Sequence, residues 1–189
     1  MANAGYPVVL ATANHLYFDF AYCYHHEEKG LSWGGYTDEW ASFDWLPLEH
    51  PNIIGLNAQM WAEEYRCFAQ VEWQIFPKIF GLAERAWNSR SALTLPEYTD
   101  LVYQYAMPRL HAEGHNFHVQ MPGIHVENGQ VMMNKVMTEG QIFYTLDDET
   151  WNEYTAPFAL PEGTATIKAY VRYLDHESTK VWWWNPMAN

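Results

Sequence analysis

Continuous apolar runs occur twice near the start of the chain, at Pro7-Val8-Val9-Leu10-Ala11-Thr12 and at Ile53-Ile54-Gly55-Leu56. Short β-branched runs without alternation predict strands of the kind buried in parallel sheets. The first run leads into His15-Leu16-Tyr17-Phe18-Asp19, read as its extension, which puts Tyr17 and Asp19 on one face. The second leads into Asn57-Ala58-Gln59-Met60-Trp61-Ala62-Glu63-Glu64, where Trp61 and Glu63 share a face if the chain is still extended. Between them, residues 21–50 form a long loop carrying Trp33, Trp40, Trp45, Gly30, Gly34 and Gly35. Loops of that length are functional or hold helices of their own, and Tyr36 to Phe43 is a candidate helix.

From about Ala62 to Asn88, apolar residues fall at three- and four-residue spacing, Phe68, Val71, Ile75, Ile79, Leu82 and Ala83 among them. That spacing predicts a long helix, broken or kinked by Pro77 near Phe76. Thr94-Leu95-Pro96-Glu97 is a helix start, capped by Thr94 or, one residue on, by Leu95. The helix runs to about Glu113 and stops at Gly114. After His115 the period shortens to two, at Phe117-His118-Val119, Gln141 to Leu146 and Thr164 to Tyr173. Turn clusters at Asn128-Gly129, Asp147-Asp148 and Pro161-Glu162-Gly163 separate these stretches, predicting a small antiparallel β-sandwich. Trp182-Trp183-Trp184 reads as a last strand packed back on the body or as an exposed patch; free apolar patches are a liability, which favours packing.

The chain thus divides into an α/β domain, 1–115, and an all-β domain, 116–189. Two βα units are too few to close a barrel or to cover a parallel sheet. Part of the first domain is therefore expected to lie elsewhere.

Composition narrows the function. The 189 residues are 49% hydrophobic and 17% charged, enough to fill a core. Ten Trp, thirteen Tyr and nine Phe are a surplus of the residues that line carbohydrate and protein interfaces as well as cores. A net charge of -13 argues against nucleic acid and anionic membrane surfaces, leaving a neutral ligand as the natural partner. Cys23 and Cys67 are too few for a disulfide scaffold or a thiolate zinc site, though one long-range bridge stays open. No apolar run approaches the ~20 residues of a membrane span. Met-Ala-Asn-Ala-Gly-Tyr-Pro lacks the basic start and apolar core of a signal peptide.

Trp61 and Glu63 carry the first chemical reading. An indole stacks on the C–H face of a pyranose, and a carboxylate accepts charge-assisted bonds from its hydroxyls. The same pair also reads as a core tryptophan and a solvated carboxylate opening a helix, where the dipole favours a negative charge. Asp19 likewise reads as a turn residue and Tyr17 as core packing. His25-His26-Glu27-Glu28 lacks the i, i+4 histidine spacing of a helical zinc site, so neither metal nor cofactor is expected.

Three segments together resemble the end of the catalytic barrel of family 20 glycoside hydrolases, the β-N-acetylhexosaminidases. Pro7-Val8-Val9-Leu10 with Leu16-Tyr17-Phe18-Asp19 is similar to that family's strand seven, and Ile54 to Glu63 to its strand eight with Trp-x-Glu. Phe76-Pro77-Lys78-Ile79-Phe80-Gly81-Leu82-Ala83-Glu84-Arg85-Ala86-Trp87 is similar to the helix that follows. Phe143-Tyr144-Thr145-Leu146-Asp147, Tyr154 to Phe158 and Ile167-Lys168-Ala169 resemble the module that often succeeds the barrel. The resemblance implies the last βα units of a TIM (β/α)8 barrel followed by an antiparallel β-sandwich. It also implies a retaining glycosidase in which the substrate's own acetamido oxygen attacks the anomeric carbon. Tyr17 would then hold that oxygen, Asp19 and Glu63 would bind sugar hydroxyls, and Trp61 would wall the pocket. All four would stand at C-terminal strand ends, where barrel sites lie.

One departure is large: the family's His-x-Gly-Gly-Asp-Glu acid/base motif has no match in these residues. Asp38-Glu39 follows Gly-Gly-Tyr-Thr in a loop, and Asp148-Glu149 is a turn in the other domain. The implied reading is a fragment of a hexosaminidase, inactive alone, that binds an N-acetylhexosamine glycan and associates with the missing barrel half or with itself. Family members are commonly exported to the periplasm or beyond, by a signal that would lie upstream. The alternative is a carbohydrate-binding or interaction module without chemistry.

Overall fold

Val8–Leu10 (β1) and Ile53–Leu56 (β2) lie side by side as parallel strands, with Val8 opposite Ile53 and Leu10 opposite Leu56. The computed structural model describes residues 1–61 and 63–185 and falls into two compact units, Met1–Phe117 and His118–Asn189. Among the described residues the parallel sheet has only these two strands. The burial expected of such strands is therefore incomplete: Val9 is 49% and Ile54 67% exposed. Parallel strands are ordinarily covered on both faces, and here that cover is partial.

β1 does not run on to Asp19. Residues Ala13–Leu16 form one turn of helix, α1, in which the amides of Leu16 and Tyr17 donate back to Thr12 and Ala13. The continuous strand expected over 15–19 is thus corrected, because those amides are spent locally rather than on a neighbour. Extended pairing resumes at Tyr17, which bridges Gln59 in parallel.

In the long loop the helix is Ala41–Asp44 (α2), displaced from the expected 36–43. Asp38 sets its start, since Oδ1 accepts from the amides of Trp40 (3.1 Å) and Ala41 (2.8 Å). The single helix expected over about 62–88 is two, Phe68–Ile75 (α3) and Lys78–Trp87 (α4), parted at Pro77. Ala62, the expected start, lies outside the described residues. The helix begins later because the Arg66 amide donates to Gln70 Oε1 at 2.7 Å and Cys67 is extended, a side-chain turn that competes with the helical ladder. α4 seats closely on α2: a Cβ at Gly81 would collide with Ser42 and Phe43. Arg85 Nε donates to the Phe43 carbonyl at 2.6 Å.

Leu95–Leu101 (α5) starts at Thr94 with a reciprocal cap, Thr94 to Glu97 and Glu97 back to Thr94. It continues through a π turn, Val102–Ala106, into Met107–Ala112 (α6). The wide turn precedes Pro108, which brings no N–H to the ladder. Gly114 follows at φ +83°, the left-handed conformation that closes helices.

Among the described residues the strands of the second unit pair antiparallel throughout. Gly123–Glu127 (β3) and Gln130–Asn134 (β4) form a hairpin over Asn128-Gly129, both at positive φ as a tight primed turn requires. Gln141–Thr145 (β5), Asn152–Glu153 (β6), Phe158–Ala159 (β7), Thr166–Tyr173 (β8), His176–Glu177 (β9) and Val181–Trp184 (β10) follow. One sheet has the order β10-β8-β5-β6 with β9 on β8, the other β3-β4-β7. Tyr144 and Phe158, one from each sheet, stack at 4.7 Å, and Val131, Ile167 and Val171 are fully buried. Residues 117–119, expected as a strand, are not one: three residues give too short a period to overrule their surroundings. The triple tryptophan is strand β10, paired along β8.

Candidate functional site

Two backbone bonds create the site. Gln59 donates to the Leu16 carbonyl at 2.8 Å, and Phe18 donates to the Gln59 carbonyl at 2.9 Å. They lock the stretch after α1 beside the stretch after β2, so residues 17–19 and 59–61 become neighbours. A third segment joins them when Leu31 donates to the Asp19 carbonyl and accepts from Ala21, both at 2.8 Å. Gly30 makes that approach possible. At φ +118° any Cβ there would lie 2.7 Å from Asp19 O and Ala21 N.

The side chains then gather. Tyr17 lies tilted against Trp61 at 6.5 Å and edge-on to Trp33 at 6.4 Å, while Trp33 meets Phe20 edge-on at 5.2 Å. Trp61 is 49% and Trp33 72% exposed, so both indoles offer open faces. Asp19 is buried, and neither carboxylate oxygen finds a hydrogen-bond partner among the described residues. Burial raises its pKa. The nearby amides of Asp19 and Trp61 oppose that rise, the Glu63 charge adds to it, and the Lys78 charge opposes it. Glu63 stands exposed. A half-open aromatic wall beside a desolvated, unpartnered carboxylate can stack on an apolar face and accept from hydroxyls at its edge.

The structure therefore brings Tyr17, Asp19, Trp61 and Glu63 into one neighbourhood, and it adds Trp33. Sequence spacing offers no reason to choose Trp33 over Trp40 or Trp45. The available signal is the glycine pattern around it. A Cβ at Gly34 would lie 2.8 Å from the Phe20 ring, so glycine lets the loop fold onto Phe20 and present Trp33.

The other acidic pairs are occupied elsewhere. Asp38 caps α2, and Asp148 sits in a turn at φ 65° and accepts from Lys168 Nζ at 2.7 Å. Glu39 is buried and accepts from the Tyr103 hydroxyl at 3.3 Å. Burial pushes Glu39 up to about 8, with Asp38 adding to the rise. Burial pushes Lys78 down to about 7 against the pull of Glu39 and its other acidic neighbours. Between its ordinary 4.5 and about 8, folded Glu39 holds a proton that the unfolded chain has released, so stability from this group falls as pH rises through that window. Lys78 contributes the opposite slope from about 7 to 10.5. We expect Glu39→Gln to raise the thermal midpoint over wild type by more at pH 8 than at pH 5. A margin that shrinks toward pH 8 would reverse the assignment.

Near the site, the His25 and His26 rings lie 4.7 Å apart. Among the described residues no three His, Cys, Asp or Glu side chains converge as for a metal ion. Cys23 and Cys67 are both free.

Comparison with known proteins adds an independent finding. Residues 1–90 match the glycosyl hydrolase family 20 catalytic domain, and residues 106–180 match the chitobiase/beta-hexosaminidase C-terminal domain. The N,N'-diacetylchitobiase of Vibrio harveyi is 24% identical over 227 residues, covering 95% of this chain and 25% of that protein. Beta-hexosaminidase B of Pseudoalteromonas piscicida is 30% identical over 115 residues, 46% of this chain and 15% of its own length. Among solved structures, the family 20 β-N-acetylhexosaminidase of Streptomyces coelicolor shares 28% identity at a TM-score of 0.57, over 63% of this chain and 25% of that one. A mutant Streptomyces plicatus β-hexosaminidase in complex with its product GlcNAc gives 29% and 0.57 over the same shares. The chain spans about a quarter of the length of the Vibrio harveyi relative.

Proposed function

This chain carries part of a glycosyl hydrolase family 20 catalytic domain followed by a chitobiase/β-hexosaminidase C-terminal domain, and on that premise we propose that it supplies one side of a subsite for a terminal N-acetylhexosamine. The observation that carries the reading is the Tyr17–Gln59 bridge, which sets the unpartnered Asp19 carboxylate beside Trp61 and Trp33. A sugar hydroxyl donating to Asp19 gives a buried acceptor a side-chain partner that the described residues do not supply. Glu63 accepts from a second hydroxyl, Trp61 and Trp33 hold the ring, and the Tyr17 hydroxyl donates to the acetamido oxygen. In a substrate-assisted reaction that oxygen attacks the anomeric carbon, and Tyr17 keeps it aimed. The general acid that protonates the leaving oxygen comes from outside these residues.

In this reading residues 1–115 are the end of a (β/α)8 barrel and 116–189 an accessory β-sandwich. The exposed Val9 and Ile54, with an open groove of about 480 Å³ along β2, support completion of the sheet by further barrel strands or a second copy. No helix of the described residues is long and apolar enough to cross a membrane.

Titration with GlcNAc, followed by tryptophan emission, tests the site. Covering roughly 100 Å² of indole at ~25 cal/mol/Å² contributes about 2–2.5 kcal/mol, so Trp61→Ala is expected to weaken binding roughly thirtyfold or more. An unchanged affinity would remove Trp61 from the site.

A further inference from the structure

Lys78 lies on α4, and its ammonium ends beneath the candidate site. The residue is fully buried, and Nζ donates to two peptide carbonyls, Phe18 O at 3.0 Å and Phe20 O at 2.7 Å. They belong to the residues before and after Asp19. Gln74, also fully buried, donates Nε2 to the same Phe20 carbonyl at 2.6 Å. Nζ lies 3.8 Å from the centre of the Tyr22 ring, and the Tyr22 hydroxyl donates to the Phe76 carbonyl at 2.9 Å and the Gln74 carbonyl at 3.1 Å. The turn at 18–20 is thereby fastened to the junction of α3 and α4.

We propose that Lys78, with Gln74, is the positioning residue of the sugar site: it clamps the carbonyls of Phe18 and Phe20, the residues before and after Asp19, and so fixes where that carboxylate meets the ligand's hydroxyls. The proposal rests on the reading of Asp19 as a sugar-binding residue. Burying an ammonium opposes folding by several kcal/mol, so an apolar side chain would serve stability better. Two carbonyls flanking a functional carboxylate need a forked donor, and an amine has at least two N–H groups whether charged or neutral. The clamp therefore holds on both sides of the Lys78 titration, which burial brings down to about 7 while Glu39, Glu28, Asp19 and Asp38 resist. Holding a binding carboxylate by a supporting layer in this way limits its drift, and drift of about an ångström is enough to lose a directional bond.

A double-mutant cycle on the full chain separates positioning from mere support, with GlcNAc as the probe and circular dichroism confirming the fold. Lys78→Met is expected to weaken GlcNAc binding about tenfold where Asp19 is present and to have no further effect in an Asp19→Asn background, since coupled residues depart from additivity. Equal losses in both backgrounds would overturn the clamp. So would a loss on Asp19→Asn with none on Lys78→Met. No loss on Asp19→Asn would instead overturn the sugar-site reading beneath it. If Lys78→Met does not fold, Gln74→Met removes one donor to Phe20 O while keeping the charge, and takes its place in the cycle. A loss confined to the background that retains Asp19 then supports the clamp, and equal losses in both backgrounds, or none in either, overturn it.

Discussion

Mixed with the upstream portion of a family 20 barrel, this chain is expected to restore hydrolysis of a chromogenic N-acetylglucosaminide that it does not perform alone. The expectation follows from what its carboxylates are doing. Asp38 caps α2, Glu39 is buried under Tyr103, and Asp148 is paired with Lys168 in a turn of the second unit. Each is thus engaged by a partner of its own. A positioned general acid contributes on the order of 10²–10⁴ in rate, so its absence leaves the chain at background. In the mixture, a barrel portion bearing the His-x-Gly-Gly-Asp-Glu motif supplies the acid. β1 and β2 offer an uncovered face, where Val9 and Ile54 stand exposed, for the added elements to pack on, and their free edges for its strands to pair with. Release of the chromophore by the mixture alone is the predicted outcome. Equal release by the chain alone would mean that one of its own carboxylates is the acid.

The second large effect concerns Asp19. Replacement by Asn keeps the volume and removes the charge, so it reads the acceptor directly. Hydrogen bonds to a charged group contribute about 1.5–3 kcal/mol, so Asp19→Asn is expected to weaken GlcNAc binding on the order of ten- to a hundredfold. The wild type should also lose affinity as pH falls through the Asp19 pKa, which burial raises above its ordinary 3.8. Above that pKa the carboxylate accepts with both oxygens as a charged group; below it the charge is lost and one oxygen becomes a donor. Asp19→Asn should flatten this acidic limb, as titrations across the range would record. A variant that retained the limb would assign it to a group other than Asp19.

Much of the fold is legible in the sequence because it is written locally. β2, the break at Pro77, the Thr94–Glu97 cap and the Asn128-Gly129 turn each follow from neighbouring residues, and the structure has them there. What stays hidden depends on distant partners or on very short elements. The turn Ala13–Leu16 is too short to show a helical period, so the run to Asp19 reads as continuous strand. Arg66 and Cys67 delay the helix through a bond to Gln70 that competes with the ladder. Tyr17, Asp19, Trp61 and Glu63 are marked by spacing and by family resemblance. Trp33 is not, because it arrives through the Phe20–Leu31 bridge and the collapse of Gly34 onto Phe20. Lys78 is invisible for a similar reason. On a helix a lysine reads as a solvent residue, and only the packed structure turns it inward to two carbonyls.

The most direct test of the sugar site is an equilibrium titration of the unmodified chain with GlcNAc and, separately, with glucose. The site as assembled predicts saturable one-to-one binding of GlcNAc with a change in tryptophan emission, and markedly weaker binding of glucose, which lacks the acetamido group that Tyr17 would hold. Equal response to both sugars, or none to GlcNAc, would contradict it.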